Sequence, residues 1–83
     1  MTGLTDLEAG VLDVERHWRE HGSVKETVIR ERIGITATRY YLILNGLLDS
    51  EAALAHDPGL VGRLRRLRDE RASERHRRRR ALP

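Results

Sequence analysis

The fold of this 83-residue chain depends most on residues 30–46, RERIGITATRYYLILNG. A helical pattern runs into Gly34, and a second one starts two residues later at Thr36, whose hydroxyl can cap it. Ile33 and Ile35 place apolar side chains on both sides of the glycine. The stretch therefore predicts two short helices that pack against each other across a tight corner.

Helix signals also precede this corner. Thr5-Asp6-Leu7-Glu8 is a capping box, in which the Thr5 and Glu8 side chains each bond the other residue's backbone amide. Ser23-Val24-Lys25-Glu26 predicts a second capping box, with Val24 on the buried side of the helix that follows. Gly22 lies between them and can end the first helix in a left-handed conformation. The first helix has apolar residues at helical spacing, namely Leu7, Val11, Val14 and Trp18.

Further signals follow the corner. Asp49 or Ser50 can end the preceding helix or cap a short helix over 51–55, and Asp57-Pro58 is a typical helix start. The last helix has one apolar stripe, formed by Leu60, Leu64 and Leu67. The sequence predicts an all-α fold, a small bundle of four to five helices with a central helix-turn-helix and a basic C-terminal helical arm. Residues 1–68 would form the helical helix-turn-helix domain. Residues 69–83 would form a basic, flexible tail, because they have almost nothing to bury.

Charge is distributed unevenly along the chain. Residues 1–57 carry six Lys or Arg against ten Asp or Glu, a net charge of −4. Residues 58–83 carry ten Arg against three Asp or Glu, a net charge of +7. A mildly acidic body with a basic arm favours a polyanionic partner, and nucleic acid is the leading candidate.

Residues 24–49 resemble the helix-turn-helix of bacterial regulators. Ile33-Gly34-Ile35-Thr36 is similar to their turn, which runs hydrophobic-Gly-hydrophobic-Ser/Thr. Those regulators usually carry a small residue near the position of Arg30. An arginine there predicts either a different crossing of the two helices or a side chain that lies outward. The resemblance implies that the second helix of the pair enters the major groove of DNA.

The same resemblance implies which side chains would touch DNA. Asn45 would pair with adenine, and Arg39 would bond a guanine edge or a phosphate. Thr36 and Thr38 would hold phosphates through their hydroxyls and the free amides of the helix start. Leu42 would meet a thymine methyl or an apolar residue of a partner. The full set that the resemblance implies on this helix is Thr36, Ala37, Thr38, Arg39, Leu42 and Asn45.

The two tyrosines and the arm complete the predicted site. Tyr40 is expected in the core, whereas Tyr41 is either half-buried or a phosphate contact. Arginines near a helix C-terminus also suit the helix dipole, but ten exceed that need because the effect fades within one turn. We expect phosphate contacts from Arg63, Arg66, Arg77, Arg78, Arg79 and Arg80.

The chain is also similar to a group of short, Arg-rich, helix-turn-helix-like actinobacterial proteins of unassigned function. The resemblance implies a helix-turn-helix-like domain and no particular activity. The shared stretches are RER at 30–32, Gly34, ATRYY at 37–41, LN at 44–45, Leu47, Asp49, DP at 57–58, LV at 60–61 and RLRRLR at 63–68.

Other chemistry finds little support in the sequence. There is no cysteine and no apolar run of membrane-spanning length. Residues 17–21 spell H-x-x-E-H, a zinc-peptidase motif, but Gly22 would end that helix at once. His56 and His76 are the only other histidines that could supply a third ligand. We expect exposed histidines, no metal, no cofactor, no catalytic residue and no membrane partner, and therefore no enzyme.

The leading hypothesis is a small DNA-binding protein of the cytoplasm (nucleoid), either a transcription regulator or a nucleoid-associated protein. We expect a homodimer or a cooperative assembly on DNA, with a self-contact through the leucine stripe. The alternative is an adaptor whose acidic first helix docks RNA polymerase or another protein while the arm tethers it to nucleic acid. RNA binding by the arm alone is a third hypothesis. The acidic residues of the first helix are Asp6, Glu8, Asp13, Glu15 and Glu20.

Overall fold

The computed structural model describes residues 3–81, which form five α-helices and no β-strand. A 3₁₀ turn, Trp18–His21, follows the first helix directly. The predicted all-α fold of four to five helices is thereby confirmed. The helices are α1 (Asp6–His17), α2 (Lys25–Arg32), α3 (Ala37–Leu47), α4 (Glu51–His56) and α5 (Pro58–Ala81).

The beginning and the end of the first helical segment follow the sequence closely. The Thr5 amide donates to Glu8 Oε1 at 2.8 Å, and the Glu8 amide donates to Thr5 Oγ1 at 3.1 Å. The predicted capping box is therefore present. Gly22 has a φ of 62°, the left-handed conformation expected where the segment ends.

The start of α2 differs from the prediction. Its N-cap is Val24, and no side chain caps the helix, so the predicted capping box at Ser23 is wrong. Val24 is 67% exposed, and its predicted burial is wrong as well. The physical reason is that Lys25 occupies the first helical position and pairs with Glu15 on α1. Val28 and Ile29 then supply the buried face of α2.

One hydrophobic core joins all five helices. Trp18 is only half-buried and packs against the edge of this core, whereas Tyr40 lies at its centre with no exposed surface. The buried side chains are Val11, Leu12 and Val14 of α1, Val28 and Ile29 of α2, Tyr40, Leu44, Leu47 and the adjoining Leu48 of α3, Ala53 of α4, and Leu60 and Val61 of α5.

The last helix begins where Asp57 and Pro58 predict. The Leu60 amide donates to Asp57 Oδ1 at 3.3 Å, which caps the helix. Leu60 is 2% exposed and belongs to the core, whereas Leu67 is 40% exposed. The predicted leucine stripe is therefore divided: Leu60 is buried in the core, Leu64 is half-buried and Leu67 is exposed. It does not form one continuous exposed face for self-contact. The homodimer stays a prediction.

The 24 residues of α5 extend well beyond the core. At about 1.5 Å per residue the helix is about 36 Å long. Every side chain from Asp69 to Arg80 is exposed. The predicted domain boundary after Arg68 does not coincide with a helix end, because helical backbone continues to Ala81. We call residues 69–81 the arm; its flexibility stays a prediction, and residues 82–83 of the predicted tail lie outside the described residues.

Candidate nucleic-acid interface

The corner between α2 and α3 has the form that the sequence predicts. The amides of Ile33 and Gly34 both donate to the Ile29 carbonyl, at 3.0 and 3.2 Å. Gly34 has a φ of 76°, in the left-handed region where a Cβ is costly. Thr36 caps α3 by accepting the Arg39 amide at 3.2 Å. Four residues, 33–36, therefore connect α2 to α3.

A buried tyrosine fixes how α3 sits on the body, which we define as α1–α4. Tyr40 is fully buried, and its hydroxyl lies 2.7 Å from Glu15 Oε1 and 3.3 Å from the Val11 carbonyl of α1. Burial, together with the hydrogen bond to Glu15, raises the pKa of the Tyr40 phenol well above its usual value. The phenol therefore remains a protonated donor at physiological pH and anchors α3 to α1.

Lys25 forms an ion pair with the same Glu15 carboxylate. Its Nζ lies 2.7 Å from Glu15 Oε1. The same ammonium lies 5.8 Å from the Trp18 ring centre, 5.5 Å from Tyr40 and 5.0 Å from Tyr41. The only lysine of the chain thus sits among its only three aromatic side chains, at cation–π distance from each. This cluster holds α1, α2 and α3 together beside the outer surface of α3.

The surface of α3 away from the core, which we call the α3 outer face, is open to solvent. It contains six of the seven DNA-contacting residues predicted on this helix and its cap, and Leu42 is 69% exposed. Ala37 is half-buried. Arg30, which departs from the regulator pattern, is exposed on α2. Its side chain therefore lies outward, which is one of the two arrangements predicted for an arginine at this position. The exposed members are Thr36, Thr38, Arg39, Tyr41, Leu42 and Asn45.

Ion pairs and hydrogen bonds fasten the first part of α5 to the body. Arg65 Nε donates to the Leu48 carbonyl just after α3, and Arg68 pairs with Asp49 at 3.0 Å. Arg16 of α1 donates through Nε to Asp57 Oδ2 at 2.6 Å. The Arg16 guanidinium holds the pKa of the Asp57 carboxyl below its usual value. These contacts place the part of α5 around Arg65 and Arg68 beside the C-terminal end of α3.

A groove of about 1060 Å³ lies between the body and α5, and we call it the basic groove. Two of the predicted α3 residues, Tyr41 and Asn45, line it. The body also contributes Arg19 and Lys25. The arginines contributed by α5 are Arg63, Arg68, Arg71, Arg75 and Arg78.

The structure divides the predicted site into two surfaces. Tyr41, Asn45, Arg63 and Arg78 come together in the basic groove. The remaining predicted residues lie outside it, with Thr36, Ala37, Thr38, Arg39 and Leu42 on α3 and Arg66, Arg77, Arg79 and Arg80 on α5.

Several groove residues were missed by the sequence analysis. Among them are Arg68, Arg71 and Arg75, which together with the predicted Arg78 recur at intervals of three, four and three and so lie on one helical face. That spacing could have been read from the sequence, had residues 69–81 been treated as a helix. The position of Lys25 in the groove could not have been predicted from the sequence, because it depends on how α2 packs against α1.

The acidic first helix offers less free charge than its sequence suggests. Glu15 is engaged by Lys25 and Tyr40, and Glu8 by the capping box. Glu20 lies 3.0 Å from His17 Nδ1. Asp6 and Asp13 remain exposed on α1. An acidic docking face on this helix would therefore be narrower than the five acidic residues imply.

Residues 3–81 offer neither a metal site nor a membrane span. No cluster of three or more His, Cys, Asp or Glu side chains is arranged to hold a metal ion there. The His21 ring nitrogen lies 3.0 Å from an Arg32 guanidinium nitrogen. No helix within this range combines the length and apolar character needed to cross a membrane.

The fold and these surfaces define a small all-α protein with a basic groove beside its third helix. A family model matches residues 3–76, and that family is described as a protein of unknown function, DUF3263. The match covers most of the chain, so the protein belongs to this family. The predicted resemblance to a family of unassigned function is confirmed to that extent. No curated protein and no solved structure matches the chain.

Proposed function

We propose that the protein binds duplex DNA, with α2 and α3 acting as a helix-turn-helix and arginines of α5 holding phosphates. The observation that carries the proposal is the position of Asn45. This amide lies on the exposed side of α3 and also lines the groove that the α5 arginines enter. A helix lying in the major groove could therefore place base-contacting and phosphate-contacting side chains on the same duplex.

The side chains of α3 suit these roles. Asn45 can form a bidentate pair with adenine, and Arg39 can bond a guanine edge. Thr36 already accepts the Arg39 amide, and its hydroxyl proton remains available to a phosphate oxygen. Leu42, which is 69% exposed, can cover a thymine methyl.

The arm would supply affinity rather than sequence preference. Its arginines are exposed, and each phosphate that they neutralise releases condensed counterions. Duplex binding should therefore weaken steeply with added salt. In the cell such a protein would act in the nucleoid, as a transcription regulator or a nucleoid-associated protein.

The test compares R39A/N45A with wild type on the duplex sequence that the wild-type chain enriches from random DNA. Each good base contact contributes about 1–3 kcal/mol of discrimination. The double variant should therefore lose at least about tenfold in preference for that sequence while keeping its affinity for unrelated DNA. Arg30→Ala is the matched control, because Arg30 is also an exposed arginine but lies on α2.

Two results would contradict the proposal. One is a double variant that keeps its sequence preference. The other is a wild-type chain that binds no duplex at any salt concentration while its α1 surface binds a protein of the transcription machinery. That second result would favour the adaptor function.

A further inference from the structure

We propose that the basic groove binds a single-stranded polynucleotide, with phosphates on the arginines of α5 and bases on an apolar floor. This site shares Tyr41 and Asn45 with the α3 outer face. The inference goes beyond duplex binding and does not depend on it, because it rests on the groove and not on the fit of α3 into DNA.

The first support is a row of free cations along one side of α5. Arg71, Arg75 and Arg78 line the groove and pair with no carboxylate of the described residues. Glu74 is the only acidic residue that α5 contributes to the lining. From Arg71 to Arg78 the row extends about 10 Å at about 1.5 Å per residue, enough to follow successive phosphates. A polyanion is the ligand that such a row favours.

The second support is the apolar floor beneath this row. Tyr41 is 41% exposed and Leu67 is 40% exposed, and Trp18, Leu48 and Leu64 also line the groove. A duplex stacks its bases inside and would bring mainly sugar and phosphate to this floor. A single strand presents phosphates on one side and flat bases on the other, which matches cationic walls over an aromatic and apolar floor.

The shape of the floor argues against a helical partner. Its apolar part on α5 ends at Leu67, after which the groove side of the helix carries Arg71, Glu74, Arg75 and Arg78. An amphipathic helix docks through apolar anchors spread over several turns, and the arm offers none. A second copy of α5 would bring arginine rows face to face and would be repelled.

The experiment measures binding of the full chain to oligothymidylate and oligouridylate of about ten nucleotides, a length suited to one small domain. The groove variant is R71Q/R75Q/R78Q. The matched control is R66Q/R77Q/R80Q, which removes the same charge from the same helix on the side away from the groove. The groove variant should bind at least about tenfold more weakly, and its slope of log affinity against log salt should be shallower by about 2. The control should change affinity by less than about threefold, since long-range charge alone remains.

A second pair of variants separates stacking from charge. Tyr41→Ala should weaken binding by about tenfold, because it removes a stacking surface, whereas Tyr41→Phe should bind like wild type. Circular dichroism and melting confirm that each variant is folded. Tighter binding of oligouridylate than of oligothymidylate would identify RNA as the source of the strand, and equal binding would indicate recognition of any single strand.

Equal losses in the two triple variants would overturn the proposal, since charge alone would then explain binding. The proposal would also be overturned if Tyr41→Ala bound single strands as tightly as wild type. The same holds if an acidic amphipathic peptide occupied the groove while the oligonucleotide did not bind. The duplex test changes Arg39, which lies outside the groove, and Asn45, which lines it, and it measures sequence preference. The groove test leaves both residues unchanged and measures affinity for a single strand. A failure of duplex recognition can therefore be distinguished from a failure of the groove site.

Discussion

The body and the arm are both helical, but different forces hold them. In the body each helix contributes buried side chains to one core, and Val11, Ile29, Tyr40 and Ala53 have no exposed surface. In the arm every side chain through Arg80 is exposed. The body is therefore stabilised by burial of apolar surface. The arm is stabilised only by its own backbone hydrogen bonds and by helix propensity.

This difference suits the functions that we propose. An exposed polycationic helix gains nothing from folding back on the body, so its side chains remain available to a polyanion. The body, by contrast, must present α3 in one orientation, and the Tyr40–Glu15–Lys25 contacts restrict that orientation. One part of the chain would then supply geometry, and the other charge.

The largest expected effect comes from proline in the two parts of α5. Gly62→Pro, next to the buried Val61, should lower the free energy of unfolding by at least about 3 kcal/mol. Ala72→Pro, in the arm, should reduce helix content while leaving the melting temperature nearly unchanged. Circular dichroism and thermal melting measure both. A large loss of stability in Ala72→Pro would show that the arm is part of the cooperative fold.

Replacing leucines of α5 by alanine should also destabilise the part packed on the core more than the part near the arm, with smaller losses of stability. Leu60→Ala removes a side chain that is 2% exposed and should cost about 2–5 kcal/mol. Leu67→Ala, at 40% exposed, should cost about 1 kcal/mol or less. Urea unfolding of the two variants gives both values. Equal costs would mean that the core extends further along α5 than the burial indicates.

The corner of the body should depend on one backbone conformation. Gly34→Ala forces a Cβ into a φ of 76° and should cost about 1–2 kcal/mol. Gly46→Ala lies in the last turn of α3, where a Cβ meets no atom within 4 Å. It should stabilise the protein by about 0.5–1 kcal/mol. Urea unfolding should show that Gly34→Ala lowers the free energy of unfolding and that Gly46→Ala raises it. If Gly34→Ala left the stability unchanged, the corner would not depend on the left-handed conformation of Gly34.

The smallest expected effect concerns pH at the junction between body and α5. Arg16 holds the pKa of Asp57 below the usual value of 3.8, so the pair stabilises the fold above that pH. This stabilisation is lost as the pH falls through the lowered pKa. Asp57→Asn keeps a capping side chain but cannot ionise. This variant should be less stable than wild type at pH 7, and the difference in their free energies of unfolding should disappear in strong acid. A difference that does not change with pH would exclude the ion pair as its cause.

Much of the fold could be predicted because its signals are local. Caps at Thr5, Thr36 and Ser50 and left-handed glycines at Gly22 and Gly34 lie where the sequence indicates. These features depend on hydrogen bonds between residues only a few positions apart. For that reason the helix order and most boundaries followed from the sequence alone.

The errors arose where distant residues interact. The start of α2 is set by Lys25 meeting Glu15 on another helix, which no local cap pattern reveals. The leucine stripe of α5 is shared between core and groove because α5 crosses the body, and sequence spacing cannot show where that crossing ends. Six of the seven predicted site residues on α3 and its cap are exposed, and Ala37 is half-buried. That Tyr41 and Asn45 lie in one groove with Arg71 and Arg75 required the tertiary structure.

The most direct test of the account is the selection of duplexes from random DNA by the wild-type chain and by R39A/N45A, at about 50 mM and about 200 mM salt. The account predicts that the wild-type chain enriches a defined sequence at both salt concentrations. It also predicts that the double variant retains DNA at low salt without enriching that sequence. Enrichment of the same sequence by both proteins, or of none by the wild-type chain, would contradict the claim that α3 reads DNA.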